Sequence, residues 1–203
     1  MSLSAPPLIL ASASPRRASL LRMLGLAFDQ MSAGVDETVI PRESPAAHAE
    51  RLARAKAMSV AARRPEALVL GCDTIVVIDQ DILGKPVDTA DAVAMLLRLA
   101  GRFHTVVSAV ALAGPGGRTM SAVESTDVRF RAFDAEEAAR YVATGEPMDK
   151  AGAYGIQGFG AALVAEIRGD YYTVIGLPIL RMLELLEAMG WRYAFGRLVR
   201  VDR

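Results

Sequence analysis

The chain has 203 residues, of which 52% are hydrophobic, and its 23 Lys and Arg are balanced by 23 Asp and Glu. This hydrophobic content excludes an intrinsically disordered chain. The zero net charge argues against stable binding to nucleic acids or to anionic membranes, because both favour an excess of Lys and Arg. The length favours one domain over residues 1–203, which could be divided into two lobes around a central cleft.

Cysteine usage and the lack of targeting signals narrow the class further. The single cysteine, Cys72, excludes an intramolecular disulfide, and the sequence has too few Cys and His for a multi-cysteine zinc site. No run approaches the roughly 18 apolar residues of a membrane helix. The first apolar stretch, residues 8–11, is too short for a signal-peptide core. We therefore expect a soluble cytoplasmic protein that does not bind membranes.

The N-terminal half alternates strands and helices, with strands over residues 8–11, 28–33 and 67–78 and helices over residues 15–25, 45–60 and 89–99. Two of these helices have clear start signals. Ser14 and Ser44 are good N-caps, and each is followed by a proline, which favours the first helical position. Gly25 provides a stop signal for the first helix.

The C-terminal half contains predicted strands over residues 103–113, 118–133 and 161–167 and predicted helices over residues 135–145 and 178–190. The Gly-Pro-Gly-Gly sequence at residues 114–117 predicts a hairpin between the first two strands. Asp134, with Glu137 three residues later, resembles a capping box at a helix start. Interleaved strands and helices with one long hairpin indicate an α/β fold with a mixed sheet.

The loop at Ser12–Arg17 is the first candidate binding site. It follows a strand and opens a helix, so free backbone N–H groups and the positive end of the helix point to one place. Arg16 and Arg17 add guanidinium donors that match phosphate oxygens. The alternative is an ordinary capped helix with two solvated arginines, and on these residues alone the two interpretations are about equal.

Asp73 is the second candidate, because it interrupts an apolar strand in which Asp and Gly are normally depleted. A carboxylate there could bind magnesium or act as a general base. The alternative is an Asp at a bulge whose oxygens accept backbone N–H groups. Glu37 is a second acidic residue that could share a cation with Asp73, although an acid in a loop is most often only solvated.

Other residues are less informative on their own. Lys85 lies between Gly and Pro, which restricts its backbone, whereas Lys56 lies on an ordinary helix. The segment over residues 149–160 is rich in glycine, which lets a backbone approach a ligand closely. Within it, Gln157 could read the edge of a base, and Tyr154 and Phe159 could pack against one. The segment is neither a Walker A loop nor a Rossmann fingerprint.

Taken together, these motifs resemble the Maf family of nucleoside triphosphate pyrophosphatases. The matching stretches are, in family order, Leu10-Ala11-Ser12-x-Ser14-Pro15-Arg16-Arg17, Gly71-x-Asp73-Thr74-Ile75-Val76, Gly84-Lys85-Pro86, the run from Asp149 to Gly158, and Gly176-Leu177-Pro178. They extend over about residues 8–190. Several independent motifs in one order are far more specific than any single motif.

The resemblance implies a bent mixed β-sheet flanked by helices, similar to that of inosine triphosphatases, and a homodimer. It also implies hydrolysis of a nucleoside triphosphate to the monophosphate and pyrophosphate with a divalent metal, Mg²⁺ or Mn²⁺. The uninterrupted run from Asp149 to Gly158 is similar to the branch that prefers dTTP and UTP. A sister branch that acts on methylated guanine nucleotides has a different loop there.

The family's active-site set falls on Ser12, Arg16, Arg17, Glu37, Lys56, Asp73, Lys85 and Gln157. The family's proton acceptor corresponds to Asp73, and its specificity positions correspond to Arg17, Thr74 and Gln157. We expect Glu37 and Asp73 to hold the metal. Whether Asp73 binds metal, acts as a base or does both in turn stays open at the level of sequence.

Two departures from the family pattern are small and affect at most the base preference: Ser108 replaces an expected Thr, and Thr173 replaces a frequent Asn. Two other functions remain as alternatives. One is a non-catalytic regulator of cell division that binds a protein or a nucleic acid. The other is a pyrophosphatase for modified or non-standard nucleotides.

Overall fold

A computed structural model describes residues 5–201, which form two compact units. The first unit contains the described residues up to Asp73, Ser108–Glu124 and the chain from Gly176 onward. The second unit contains Thr74–Val107 and Ser125–Ile175. Three long strands contribute residues to both units. The expectation of a single domain over residues 1–203 stays a prediction.

The strands are β1 (Leu8–Leu10), β2 (Asp29–Gln30), β3 (Leu68–Ile78), β4 (Asp81–Leu83), β5 (Phe103–Ala113), β6 (Thr119–Phe130), β7 (Val164–Arg168), β8 (Trp191–Tyr193) and β9 (Leu198–Arg200). Seven of them form one sheet in the order β2-β1-β3-β5-β6-β7, with β4 paired to β3, while β8 and β9 pair separately. β1 is parallel to both β2 and β3. β4 is antiparallel to β3, and β7 is antiparallel to β6. The prediction of an α/β fold with a mixed sheet is therefore confirmed.

The helices are α1 (Pro15–Met23), α2 (Pro45–Ala61), α3 (Thr89–Leu99), α4 (Ala135–Val142), α5 (Tyr171–Ile175) and α6 (Ile179–Ala188). Short 3-10 segments lie at Glu146–Asp149, Ala151–Ala153 and Phe159–Leu163. Within residues 5–201, none of the helices has the length and apolar character needed to cross a membrane.

The predicted helix starts are confirmed by side-chain caps. The hydroxyls of Ser14 and Ser44 accept backbone N–H groups of α1 and α2 at 3.4 and 3.2 Å. The carboxylate of Asp134 accepts the N–H of Glu137 at 2.8 Å. The reciprocal half of the capping box is replaced, because the Glu137 carboxylate pairs with Arg131 instead.

Several boundaries differ from the sequence predictions. Residues 161–163, predicted as the start of a strand, belong to a 3-10 segment, and β7 begins only at Val164. The strand predicted over residues 28–33 is reduced to Asp29–Gln30. The short elements β4, α5, β8 and β9 were not predicted, because three to five residues are too few to show a hydrophobic period.

The core of the second unit contains a buried histidine. His104 Nε2 lies 2.8 Å from the Tyr154 hydroxyl, and the imidazole makes an edge contact with Phe130. The other ring nitrogen, Nδ1, is buried without a hydrogen-bond partner among the described residues. Burial lowers the pKa of His104 to about 4, so the ring is neutral at pH 7.

This burial makes folding sensitive to acid. Between pH 6.5 and about 4, the unfolded chain protonates His104 while the folded protein does not, so stability decreases as the pH falls through this window. The contribution is at most roughly 3 kcal/mol. His104→Gln removes the titration and keeps an amide for Tyr154. Urea unfolding at pH 7 and pH 4.5 should show a smaller loss for the variant, and equal losses in both proteins would contradict this assignment.

Candidate active site

The loop between β1 and α1 is held by hydrogen bonds from Arg17. Its guanidinium donates to the Ser12 hydroxyl at 3.0 Å and to the Gly176 carbonyl at 2.8 Å. The same Ser12 hydroxyl accepts the backbone N–H of Ser14 at 3.2 Å. The predicted residues Ser12 and Arg17 are therefore in direct contact at the N-terminal end of α1, where anions bind favourably. Arg16 is the neighbouring residue on this first turn.

Helix α2 approaches β3 very closely at Gly71. A Cβ at Gly71 would overlap the carbonyl oxygen of Ala53 and lie 2.6 Å from the backbone nitrogen of Ala57. Only glycine allows the two backbones to pack at this distance. The contact determines where Lys56, the residue of α2 just before Ala57, emerges beside the strand.

Lys56 joins the two predicted acidic residues. Its ammonium lies 2.7 Å from Asp73 Oδ1 and 2.6 Å from Glu37 Oε1. The side chains of Lys56 and Asp73 are only 13% and 10% exposed, whereas that of Glu37 is 57% exposed. The Lys56–Asp73 pair is therefore a largely buried ion pair, and loss of either partner would leave an uncompensated charge.

The loop that carries Glu37 is anchored to α2 by Arg51. The Arg51 guanidinium binds both carboxylate oxygens of Glu43 at 2.7 and 2.9 Å and donates to the Thr38 carbonyl at 3.0 Å. His48 Nδ1 lies 3.1 Å from the same carboxylate. The hydrogen bond from Arg51 lowers the pKa of Glu43 to about 2, so the anchor keeps its charge over a wide pH range.

The sheet brings the Ser12 loop next to the residues before Asp73. Leu10 pairs with Leu70 in the parallel ladder, and the Ala11 N–H continues it by donating to the Leu70 carbonyl at 2.8 Å. The intervening Cys72 is fully buried, and burial raises the pKa of its thiol to about 11. Cys72 is therefore a neutral packing residue, and the charged side chains of Arg17, Lys56 and Asp73 lie near it.

The remaining predicted site residues belong to the second unit. Thr74 follows Asp73 directly on β3, and Lys85 is exposed just after β4. The Gly152 N–H donates to the Gly84 carbonyl at 3.0 Å, so the Lys85 segment meets the glycine-rich segment. A side chain at Gly152 would contact Val76 at 2.9 Å. Two motifs whose contacting residues are 68 positions apart thus meet within this unit.

Gln157 is exposed in a turn of the glycine-rich segment. It follows Ile156, which is buried, and precedes Gly158, which is exposed. Tyr154 is buried and bonded to His104, so the idea that its ring packs against a base is wrong. Phe159 is 70% exposed. Burial tends to raise the pKa of Glu146, but backbone hydrogen bonds from this segment and one from the Tyr141 hydroxyl on α4 hold it below its ordinary value.

The carboxylates of Glu37 and Asp73 offer hard oxygen ligands toward one shared position, now next to the Lys56 ammonium. Magnesium is commonly held by one or two carboxylates together with substrate phosphates, so this donor set fits such an ion. Among residues 5–201, no group of three or more His, Cys, Asp and Glu could bind a metal by itself.

Three anchoring residues were missed by the sequence reasoning. Gly176 was noted only as part of a motif, and its role as an acceptor for Arg17 depends on a contact across 159 positions. Arg51 resembles any helix arginine until its two partners in the Glu37 loop are known. The sequence gives no signal for Glu146 either, because its backbone partners lie 13 and 14 residues away in an irregular segment.

The comparisons with known proteins agree over most of the chain. A family model described as Maf-like protein matches residues 7–189. A dTTP/UTP pyrophosphatase of Symbiobacterium thermophilum is 53% identical over 184 residues, covering 91% of this chain and 94% of the relative. A protein of the same name from Moorella thermoacetica is 52% identical over 187 residues, covering 90% and 95%.

A solved structure was also found at lower similarity. It is a nucleoside-triphosphatase / dITP/XTP pyrophosphatase from Mycobacterium abscessus, 17% identical, with a TM-score of 0.44. The alignment covers 90% of this chain and 98% of that chain. The comparison therefore rests on the two more similar relatives described above.

The close packing at Gly71 can be tested by adding one methyl group. Gly71→Ala should displace α2 from β3 and reduce the free energy of unfolding by about 1–3 kcal/mol, the usual cost of overpacking. Gly84→Ala is the matched control, because a Cβ there has no neighbour within 4 Å. Urea unfolding of both variants measures the difference. A Gly71→Ala protein as stable as the control would show that the two backbones are not in tight contact.

Proposed function

This chain belongs to the Maf-like protein family, and we propose that it is a nucleoside triphosphate pyrophosphatase that hydrolyses dTTP and UTP to the monophosphate and pyrophosphate. The relatives that share about half of its residues are named for this reaction. The observation that carries the proposal in the molecule itself is the buried contact of Lys56 with Asp73. This pair provides a carboxylate and a cation beside a helix end suited to phosphate.

Phosphate binding is assigned to the first turn of α1. Ser12 and Arg17 are already fixed there by hydrogen bonds, so little side-chain freedom is lost when a ligand binds. Arg16 adds a second guanidinium on the first turn of the helix, at its positive end. A triphosphate carries about four negative charges at neutral pH, and this concentration of donors suits it although the whole chain is neutral.

Asp73 is assigned the role of orienting and deprotonating the attacking water. The water oxygen forms a bond to the α-phosphorus, the bond from the α-phosphorus to the bridging oxygen breaks, and pyrophosphate leaves with that oxygen. The proton of the water passes to the Asp73 carboxylate. Lys56 holds this carboxylate in one orientation and stabilises the charge that develops on the phosphate oxygens.

A divalent cation, Mg²⁺ or Mn²⁺, is proposed as the cofactor, held by Glu37 and Asp73. When bound, such an ion neutralises phosphate charge and polarises the phosphorus. Glu37 and Asp73 would hold the ion through their carboxylate oxygens, and the exposed Glu37 side chain could adjust to it more easily than the buried Asp73.

Base recognition is assigned to Gln157, together with the family's other specificity positions, Arg17 and Thr74. The amide of Gln157 has both a donor and an acceptor, which suits the imide edge of uracil and thymine. Lys85 is assigned to the leaving pyrophosphate. A homodimer in the cytoplasm, without stable nucleic-acid or membrane partners, completes the proposal and rests on the family resemblance and the charge balance.

The activity can be tested by analysing the products. Purified protein with Mg²⁺ or Mn²⁺ should convert dTTP and UTP to monophosphate and pyrophosphate, faster than CTP, ATP or GTP, and chelation should abolish turnover. Chromatography of the products decides the position of cleavage. Orthophosphate with a diphosphate product would overturn it. If the protein hydrolyses neither standard nor modified triphosphates, the result would favour a non-catalytic regulator. A preference for modified nucleotides would favour a pyrophosphatase for modified or non-standard nucleotides.

The role of Asp73 can be tested with Asp73→Asn, which keeps the shape of the side chain and removes its charge. We expect kcat to fall by roughly 10²–10⁴-fold, the usual contribution of a general base. The control is Asp81→Asn, since Asp81 is exposed on β4 and pairs with Arg98. A folded Asp73→Asn protein with more than about a tenth of the wild-type kcat would place Asp73 outside the chemistry.

A further inference from the structure

We propose that Glu146 is a positioning residue for base selection, because its carboxylate ties together both sides of the turn that carries Gln157. The inference rests on the proposed function, since it deepens the role given there to Gln157. All residues in the argument belong to the second unit. We refer to residues 155–160 as the Gln157 turn.

The carboxylate of Glu146 accepts hydrogen bonds from the C-terminal side of the Gln157 turn. Its Oε2 accepts the Phe159 N–H at 2.7 Å, and its Oε1 accepts the Gly160 N–H at 3.1 Å. Hydrogen bonds to a charged acceptor are about twice as strong as those between neutral groups. The backbone after Gln157 therefore has a fixed position relative to Glu146.

The N-terminal side of the turn is tied to the same carboxylate through Tyr141. The Gly155 N–H donates to the Tyr141 hydroxyl at 3.1 Å, and this hydroxyl donates to Glu146 Oε1 at 2.8 Å. Tyr141 is itself buried on α4. A continuous chain of hydrogen bonds thus runs from one side of Gln157 to the other through one side chain.

Two glycines of the turn are required by this arrangement. A Cβ at Gly158 would overlap Glu146 Oε2 and lie 2.6 Å from its Cδ. A Cβ at Gly160 would lie 2.5 Å from both the Tyr141 hydroxyl and the Gly155 carbonyl oxygen. The backbone therefore folds directly around the carboxylate, and Ile156 is the one side chain of the turn that is buried.

Loss of the carboxylate would release the Gln157 backbone, whereas the contacts of Lys56 with Asp73 and Glu37 do not involve Glu146. A base-reading amide that can move pairs less well with the correct base and rejects the wrong base less strongly. The effect of a Glu146 variant should therefore appear in the ratio of kcat/KM for UTP over CTP. A merely structural role would lower both kcat/KM values together.

The experiment is a double-mutant cycle in the full-length protein, with Glu146→Ala, Gln157→Ala and the double variant. Gln157→Ala should narrow the UTP-to-CTP ratio by roughly 5- to 150-fold, the range for losing one polar group in a recognition site. Glu146→Ala should narrow it by at least about half of that factor on a logarithmic scale. The double variant should resemble Gln157→Ala alone, because the anchor acts only through Gln157.

Three further variants provide controls. Glu136→Ala removes an exposed carboxylate of α4 that pairs with Arg140, and it should leave the ratio unchanged. Glu146→Gln keeps the volume and one acceptor oxygen, and Tyr141→Phe removes only the hydroxyl, so both should give intermediate ratios. If Glu146→Ala does not fold, as judged by circular dichroism, these two conservative variants decide the question in its place.

Hydrogen–deuterium exchange gives a readout that does not depend on turnover. The amides of Gly155, Phe159 and Gly160 should exchange faster in Glu146→Gln than in the wild type, whereas the amides of α3 should not change. Unchanged exchange, an unchanged UTP-to-CTP ratio, or independent narrowing by the two single substitutions would each overturn the inference. If the wild type releases no pyrophosphate from any nucleotide, the proposed function itself fails, and the inference fails with it.

Discussion

The close contact between α2 and β3 at Gly71 is the constraint on which the candidate site depends. Because Gly71 has no side chain, the backbone of α2 lies against the strand, and Lys56 reaches Asp73 at 2.7 Å. A wider spacing would let water enter and reduce the ion pair to the small value typical of exposed pairs. Glycine is normally depleted in strands, but Gly71 is required here because α2 packs directly against it.

A chain with no net charge can still have a local concentration of charged side chains, because ion pairs outside the candidate site balance the total. Pairs such as Arg64–Glu66 and Arg192–Glu187 are exposed and contribute little to folding or function. Near the end of β1 and the adjacent part of β3, the charged side chains instead lie beside buried backbone and the fully buried Cys72 thiol. The lower effective dielectric there strengthens each interaction with a charged ligand.

Local signals of the sequence predicted local structure well. Ser14, Ser44 and Asp134 cap helices because each needs only a backbone N–H three residues away. The motif pattern also identified Glu37, Lys56 and Asp73, which do meet in one cluster. The sequence could not indicate that Gly176 orients Arg17, since that hydrogen bond depends on how distant segments pack.

Glu43 and Glu146 both use a carboxylate to anchor an irregular segment of the chain. Each belongs to or faces an irregular segment that carries a side chain of the proposed site, Glu37 in one case and Gln157 in the other. Such segments lack the ladder of a strand or helix, so their backbone groups need other partners. A carboxylate accepts several donors at once and, unlike apolar packing, fixes direction as well as position. Because the carboxylate acts from beside the segment, the exposed residue at its tip stays available for a ligand.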